Sequence, residues 1–114
     1  MNNTVQSLWI GNSIGVFEEL CIKSYLKLGY EFHLYVYNNL NNLPDGVIIK
    51  DANTIISENQ IFEYSGGGVS AFSNMFRYKL LYDKGGVWVD MDMILINKIV
   101  TKLLQTFVFQ LFPS

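Results

Sequence analysis

The sequence predicts an α/β protein. Short strand-like runs alternate with two longer helical patterns, from Ile14 to Leu28 and from Ser70 to Lys84, and glycine stands at the end of each helical pattern. The run "VWV" before Asp90 is short and wholly apolar, as a strand buried on both faces of an α/β sheet should be.

Each element has a local reason. Val5 to Ile10 reads as the first strand, and Gly11-Asn12 ends it with backbone freedom and a capping side chain, so that Asn12 or Ser13 caps the first helix. Within that helix Phe17, Leu20, Cys21, Ser24 and Leu28 fall on one face, which is expected to meet the core, and Gly29 terminates it. In "EFHLYVY" the apolar residues Phe32, Leu34 and Val36 alternate with Glu31, His33 and Tyr35, the period of a strand with His33 on its polar side. A Pro-Asp-Gly turn then leads into a third strand, "VIIKDA", and a short helix is expected between Asn53 and Tyr64.

"SGGGVS" exposes backbone N–H groups but lacks the ending of a P-loop and the spacing of a dinucleotide fingerprint, so it reads as a loop into the second helix. That helix is capped by Ser70 and stopped by Gly85-Gly86, and its Asn74 and Arg77 share one edge. "VWVD" is the fourth strand. The sequence beyond Asp92 reads as a further strand followed by an amphipathic helix.

Composition narrows the function. A chain of 114 residues, half of them hydrophobic and 16% charged, suits one packed domain over residues 1–114. The net charge of −2 and the scattered Lys and Arg residues give no basic stripe, which argues against nucleic acid. Cys21 is the only cysteine, so no internal disulfide or cysteine-cluster metal site can form. "MNNTVQSLWIG" has no basic region followed by an apolar run, which makes the cytoplasm the expected location. The tail, residues 99–114, is too short to span a bilayer and carries Lys102, yet leaves room for contact with a membrane surface.

The chemistry concentrates in "YDKGGVWVDMDMILI". In an extended stretch Asp90 and Asp92 point the same way, and two carboxylates that close repel one another unless a cation lies between them. Oxygen ligands favour Mg²⁺ or Mn²⁺, with phosphate oxygens and water completing the shell. The pair also stands just after a strand, where open α/β sheets bind ligands.

Two enzyme families place Asp-x-Asp there. In haloacid-dehalogenase-type phosphatases the motif opens the domain, whereas only 22 residues follow Asp92 here, too few for the remaining catalytic elements. The closer resemblance is to the DXD-containing sugar-binding-region glycosyltransferases, which include capsular sugar transferases, mannosyltransferases and, distantly, the glucosyltransferase domains of clostridial toxins. "SAFSNMFRYKLLYDKGGVWVDMD" resembles their Ser-Asp-x-x-Arg, Gly-Gly and Asp-x-Asp segment, and "LWIGN" is similar to the Trp-Ile-Gly end of their first strand.

The resemblance implies a GT-A, Rossmann-like fold of which this chain holds the N-terminal nucleotide-binding part only. It also implies transfer from a nucleoside-diphosphate sugar, UDP-sugar by likeness, with Mn²⁺ or Mg²⁺, in a setting such as polysaccharide synthesis. Leu8, Trp9, Gly11, Ser73, Trp88 and Asp90 would then meet the nucleotide, with Trp9 stacking on the base and Gly11 letting the backbone approach. Asn74 and Arg77 would meet the sugar, and Asp90 and Asp92 the metal. Asn74 departs from the usual Asp and has no charge to set against Arg77. The acceptor, whether glycan, lipid-linked or protein, the catalytic residues and the oligomeric state are not specified by these motifs. A noncatalytic nucleotide-binding remnant is the alternative.

Overall fold

The structure, a computed structural model, describes residues 3–62 and 68–91. Four strands, β1 (Thr4–Trp9), β2 (Glu31–Val36), β3 (Ile48–Asp51) and β4 (Val87–Trp88), form one sheet in the order β3-β2-β1-β4. All three pairings are parallel, which requires a crossover between each pair of neighbours. Helix α1 (Val16–Lys27) joins β1 to β2, and helix α2 (Ser70–Lys84) lies between β3 and β4.

The two helices cover opposite faces. Cys21, Ile22 and Tyr25 of α1 pack with Val5, Phe32, Leu34, Val36, Val87 and Val89. Phe72, Phe76 and Leu80 of α2 pack with Leu8, Tyr35 and Trp88. Successive residues of each strand therefore alternate between the two cores, which is why the strands read as apolar on both sides.

Several expectations are corrected. Helix α1 starts at Val16, capped through the Gly15 N–H, which donates to Glu18 Oε1 at 2.7 Å, and neither Asn12 nor Ser13 serves. Its buried face is rotated from the expected one: Phe17 is 71% exposed and Leu20 44%, while Cys21, Ile22 and Tyr25 are buried. Tyr25 fixes that rotation by meeting Tyr30 and Phe32 edge to face, both with ring centroids 5.8 Å apart. The cap of α2 is Val69, whose carbonyl accepts from the Ser73 N–H, and Ser70 is already helical. In place of one short helix after β3 stand two 3₁₀ turns, Ala52–Thr54 and Glu58–Gln60, the first opened by the Asp51 carboxylate accepting from the Asn53 N–H. The side of β2 expected to be polar is covered by α2, which buries Tyr35, and His33 on that side is half-buried with its Nε2 against Glu31 Oε1.

The turn into β4 is tightly built. Gly85 and Gly86 both have positive φ, and the buried Gln6 side chain donates from Nε2 to the Gly85 carbonyl at 3.0 Å. A Cβ on Gly86 would stand 2.6 Å from that nitrogen, whereas one on Gly29 would meet nothing within 4 Å. Gly86→Ala is therefore expected to cost roughly 2 kcal/mol or more, from backbone strain plus the disturbed buried amide, and Gly29→Ala only about 1 kcal/mol. Urea unfolding of the two variants checks the difference.

Burial, with nearby Cys21, Tyr30 and Asp90 adding to it, pushes the Tyr25 hydroxyl up to about 12 from its ordinary value of 10.0. A raised folded-state pKa means the native protein holds that proton where the unfolded chain releases it, so stability is intact below pH ~10 and falls between pH ~10 and ~12. Thermal melts across that range should show the decline, and Tyr25→Phe should lessen it, the remainder coming from Tyr37, which burial also pushes up to about 12.

Candidate nucleotide-sugar site

Strand order places the site. The chain runs from β1 outward to β2 and β3, then returns to set β4 on the other side of β1, so the order reverses between β1 and β4. Ligands of open α/β sheets lie outside the carboxyl ends of the strands at such a reversal. Trp9 ends β1, and Asp90 follows β4.

Pairing of Gln6 with Trp88, extended by two residues, sets Asp90 level with Leu8. The Val89 N–H donates to the Gln6 carbonyl at 2.9 Å, which carries the parallel ladder past the end of β4 toward Asp90. The Asp90 side chain is exposed, and its Oδ1 accepts from the Trp88 indole N–H at 3.2 Å. Trp88 is itself buried against Phe76, with centroids 6.4 Å apart, so the donor that orients the carboxylate is held by packing. One hydrogen bond leaves the carboxylate with further lone pairs for a hard cation. Asp92 lies outside the described residues, and among these no group of three acidic, His or Cys side chains is gathered for a metal.

The loop after β1 is shaped from within. The half-buried Trp9 indole turns back and donates from Nε1 to the Ser13 carbonyl at 2.8 Å. Gly11, at φ 147°, lies beneath it, and a Cβ there would come within 3.3 Å of Nε1. The glycine thus makes room for Trp9 itself. Asn42, from the β2–β3 connection, grips the same loop through both atoms of its amide: Oδ1 accepts from the Ile14 N–H at 3.0 Å and Nδ2 donates to the Ile14 carbonyl at 2.8 Å. Sequence reasoning missed this clamp because Asn42 sits in a run of asparagines where no spacing marks one as structural.

The other predicted residues divide. Leu8 is 8% exposed and packs in the α2-side core, as does Trp88. Ser73, Asn74 and Arg77 lie in the first eight residues of α2. Asn74 is exposed; Ser73 and Arg77 are half-buried, and the Arg77 guanidinium lies 5.6 Å from the centre of the Tyr78 ring. At the carboxyl ends of β2 and β3 is an open cavity of about 580 Å³ lined in part by Val36, Asn38, Asn39, Asp51 and Asn53, with no residue of α2 among its lining. Val36 pairs with Trp9, so this cavity adjoins the β1 end of the site. The asparagine run directly after β2 was its signal in the sequence.

A parallel sheet whose strand order reverses beside Asp90 defines an open α/β protein of the doubly wound type. Residues 16–109 match the family described as glycosyltransferase sugar-binding region containing DXD motif, and the chain belongs to that family. The match takes in Ser73, Asn74, Arg77, Trp88, Asp90 and Asp92, while Leu8, Trp9 and Gly11 precede it. No curated protein and no solved structure matches the chain significantly. No described helix is long and apolar enough to cross a membrane.

Asn42→Ala removes a donor and an acceptor from the backbone of buried Ile14 and should destabilise the protein by about 1–2 kcal/mol. Faster amide exchange at Ile14, beside an unchanged rate in β2, would show that the loss is local to the loop.

Proposed function

We propose that the chain provides the donor half of a metal-dependent glycosyltransferase, binding a nucleoside-diphosphate sugar, with UDP as the favoured nucleotide. The observation that supports it most is the exposed, indole-oriented Asp90 carboxylate at the β1/β4 reversal of a chain from this family. In this reading residues 1–114 act as one nucleotide-sugar-binding unit.

The nucleoside would run from the Trp9 face, where the half-exposed indole offers a stacking surface, toward Asn38 and Asn39, whose amides can both donate and accept. The diphosphate would then point across the β1 end to Asp90. Asp90 and Asp92 would hold Mn²⁺ or Mg²⁺, which supplies charge neutralisation for a diphosphate leaving group. Arg77 and Asn74, on the neighbouring stretch of α2, would meet the sugar hydroxyls, with the ring of Tyr78 steadying the guanidinium. Ser73, one residue before Asn74, would meet the nucleotide. The acceptor would be a glycan, a lipid-linked group or a protein, in a setting such as polysaccharide synthesis.

UDP titrated into the purified chain with Mn²⁺ should change tryptophan fluorescence, and EDTA should reverse the change. Asp90→Asn and Asp92→Asn should each weaken the metal-dependent binding by at least about tenfold, equivalent to about 1.4 kcal/mol. Trp9→Phe separates the two tryptophans: the signal should fall with it if the base stacks there. A folded chain that shows no Mn²⁺-dependent response to UDP would overturn the donor-half reading.

A further inference from the structure

A second cavity, of about 280 Å³, lies on the α2 face of the sheet at the end where α2 finishes, away from the carboxyl ends of the strands. The register builds it. Gln6 pairs with His33, and Tyr35 pairs with Lys50, so side chains of β1, β2 and β3 project from one face there, and Lys84 to Gly86 close it from above.

We propose that this cavity binds a small phosphate-bearing anion. Its basic lining residues are Lys50, Lys84 and His33, with no carboxylate among the lining, in a chain whose net charge is −2. Glu31 already engages His33 Nε2, so the excess positive charge comes from the two lysines. Neither lysine has an ion pair among the described residues, whereas Lys23 and Lys79 are each matched by a carboxylate one turn away. Lys50 and Lys84, from different elements, line one concave, polar space, and an anion held between their ammonium groups would gain charge-assisted hydrogen bonds from both.

The size restricts the occupant. Ligand cavities usually run from ~300 Å³ upward, so this one suits a phosphate or diphosphate group better than a whole nucleotide sugar. Lys50 also borders the larger cavity at the carboxyl ends, but Lys84 does not, which makes Lys84 the discriminating position. An anion held there would join β3 to the Lys84–Gly86 turn that feeds β4, and would stabilise the folded chain by mass action.

The probe is pyrophosphate, titrated calorimetrically into the full chain at low ionic strength with EDTA present, so that no metal bridges it to the aspartates. Binding is expected, weakened at least about tenfold by Lys84→Met and by Lys50→Met and unchanged by Arg77→Met. His33 is the only histidine, so its imidazole resonances in the unmodified chain provide a second readout and should shift on titration. Absence of binding, undiminished affinity in Lys84→Met, a still imidazole signal, or loss of binding in Arg77→Met would each overturn the proposal. The last result would place the anion at the sugar-nucleotide site instead.

Discussion

Gln6 holds the end of the sheet on which the site depends, and it does so with both its side chain and its backbone. The side-chain amide donates to the Gly85 carbonyl, and the backbone carbonyl accepts from the Val89 N–H. Between these two contacts lies the whole of β4, a strand of only two residues that could not hold its position by ladder hydrogen bonds alone. A polar side chain buried in the middle of a parallel sheet is costly unless satisfied, and here its donor is satisfied by the carbonyl of the turn. Gly86 must lack a side chain because the amide occupies that space. The register of β4, and with it the position of Asp90 beside the end of β1, follows from this arrangement.

The division of the protein into two cores then determines which residues can face a ligand. On the α2 side the packing is aromatic: Tyr35, Tyr37, Phe72, Phe76 and Trp88 meet at ring separations from 5.7 to 6.5 Å, in tilted or edge-to-face pairs. Rigid rings with few torsions make a wall that does not readjust. Trp88, at the margin of that wall, has its indole N–H directed along the strand to Asp90, so a core residue orients a surface carboxylate. On the α1 side the Cys21 thiol approaches the Asp90 carbonyl at 3.7 Å, which ties the same residue's backbone to the opposite core.

Much of this was legible in the sequence where one pattern had one physical meaning. The strands alternated or were wholly apolar, Gly29 and Gly85-Gly86 stood where helices had to end, and the Asp-x-Asp segment followed a buried strand. The face of α1 was not legible, because apolar residues occur around most of its circumference: Val16, Phe17 and Leu20 compete with Cys21, Ile22 and Tyr25. Only the contacts of Tyr25 with Tyr30 and Phe32, residues of the next strand and its approach, choose between them. Asn42 and Gln6 were missed for a related reason. A single buried or clamping amide leaves no periodicity, and its partners, Ile14 and Gly85, lie 28 and 79 residues away in the chain. The cavities were hidden likewise, since each is assembled from two or more strands.

The charge distribution follows from the same topology. In a parallel sheet every strand presents its carboxyl end on one edge and its amino end on the other, so side chains with opposite tasks can be separated merely by their place along a strand. Asp51 and Asp90 stand at the carboxyl edge, where a cation and a phosphate can meet, while Lys84 ends α2 at the opposite edge. In the proposed reading Asn74 stands where the resemblance has an aspartate, which would give the region around Arg77 one negative charge fewer than that pattern. A sugar there would be held by hydrogen bonds to a neutral amide and a guanidinium, a pairing that recognises hydroxyl geometry more than charge.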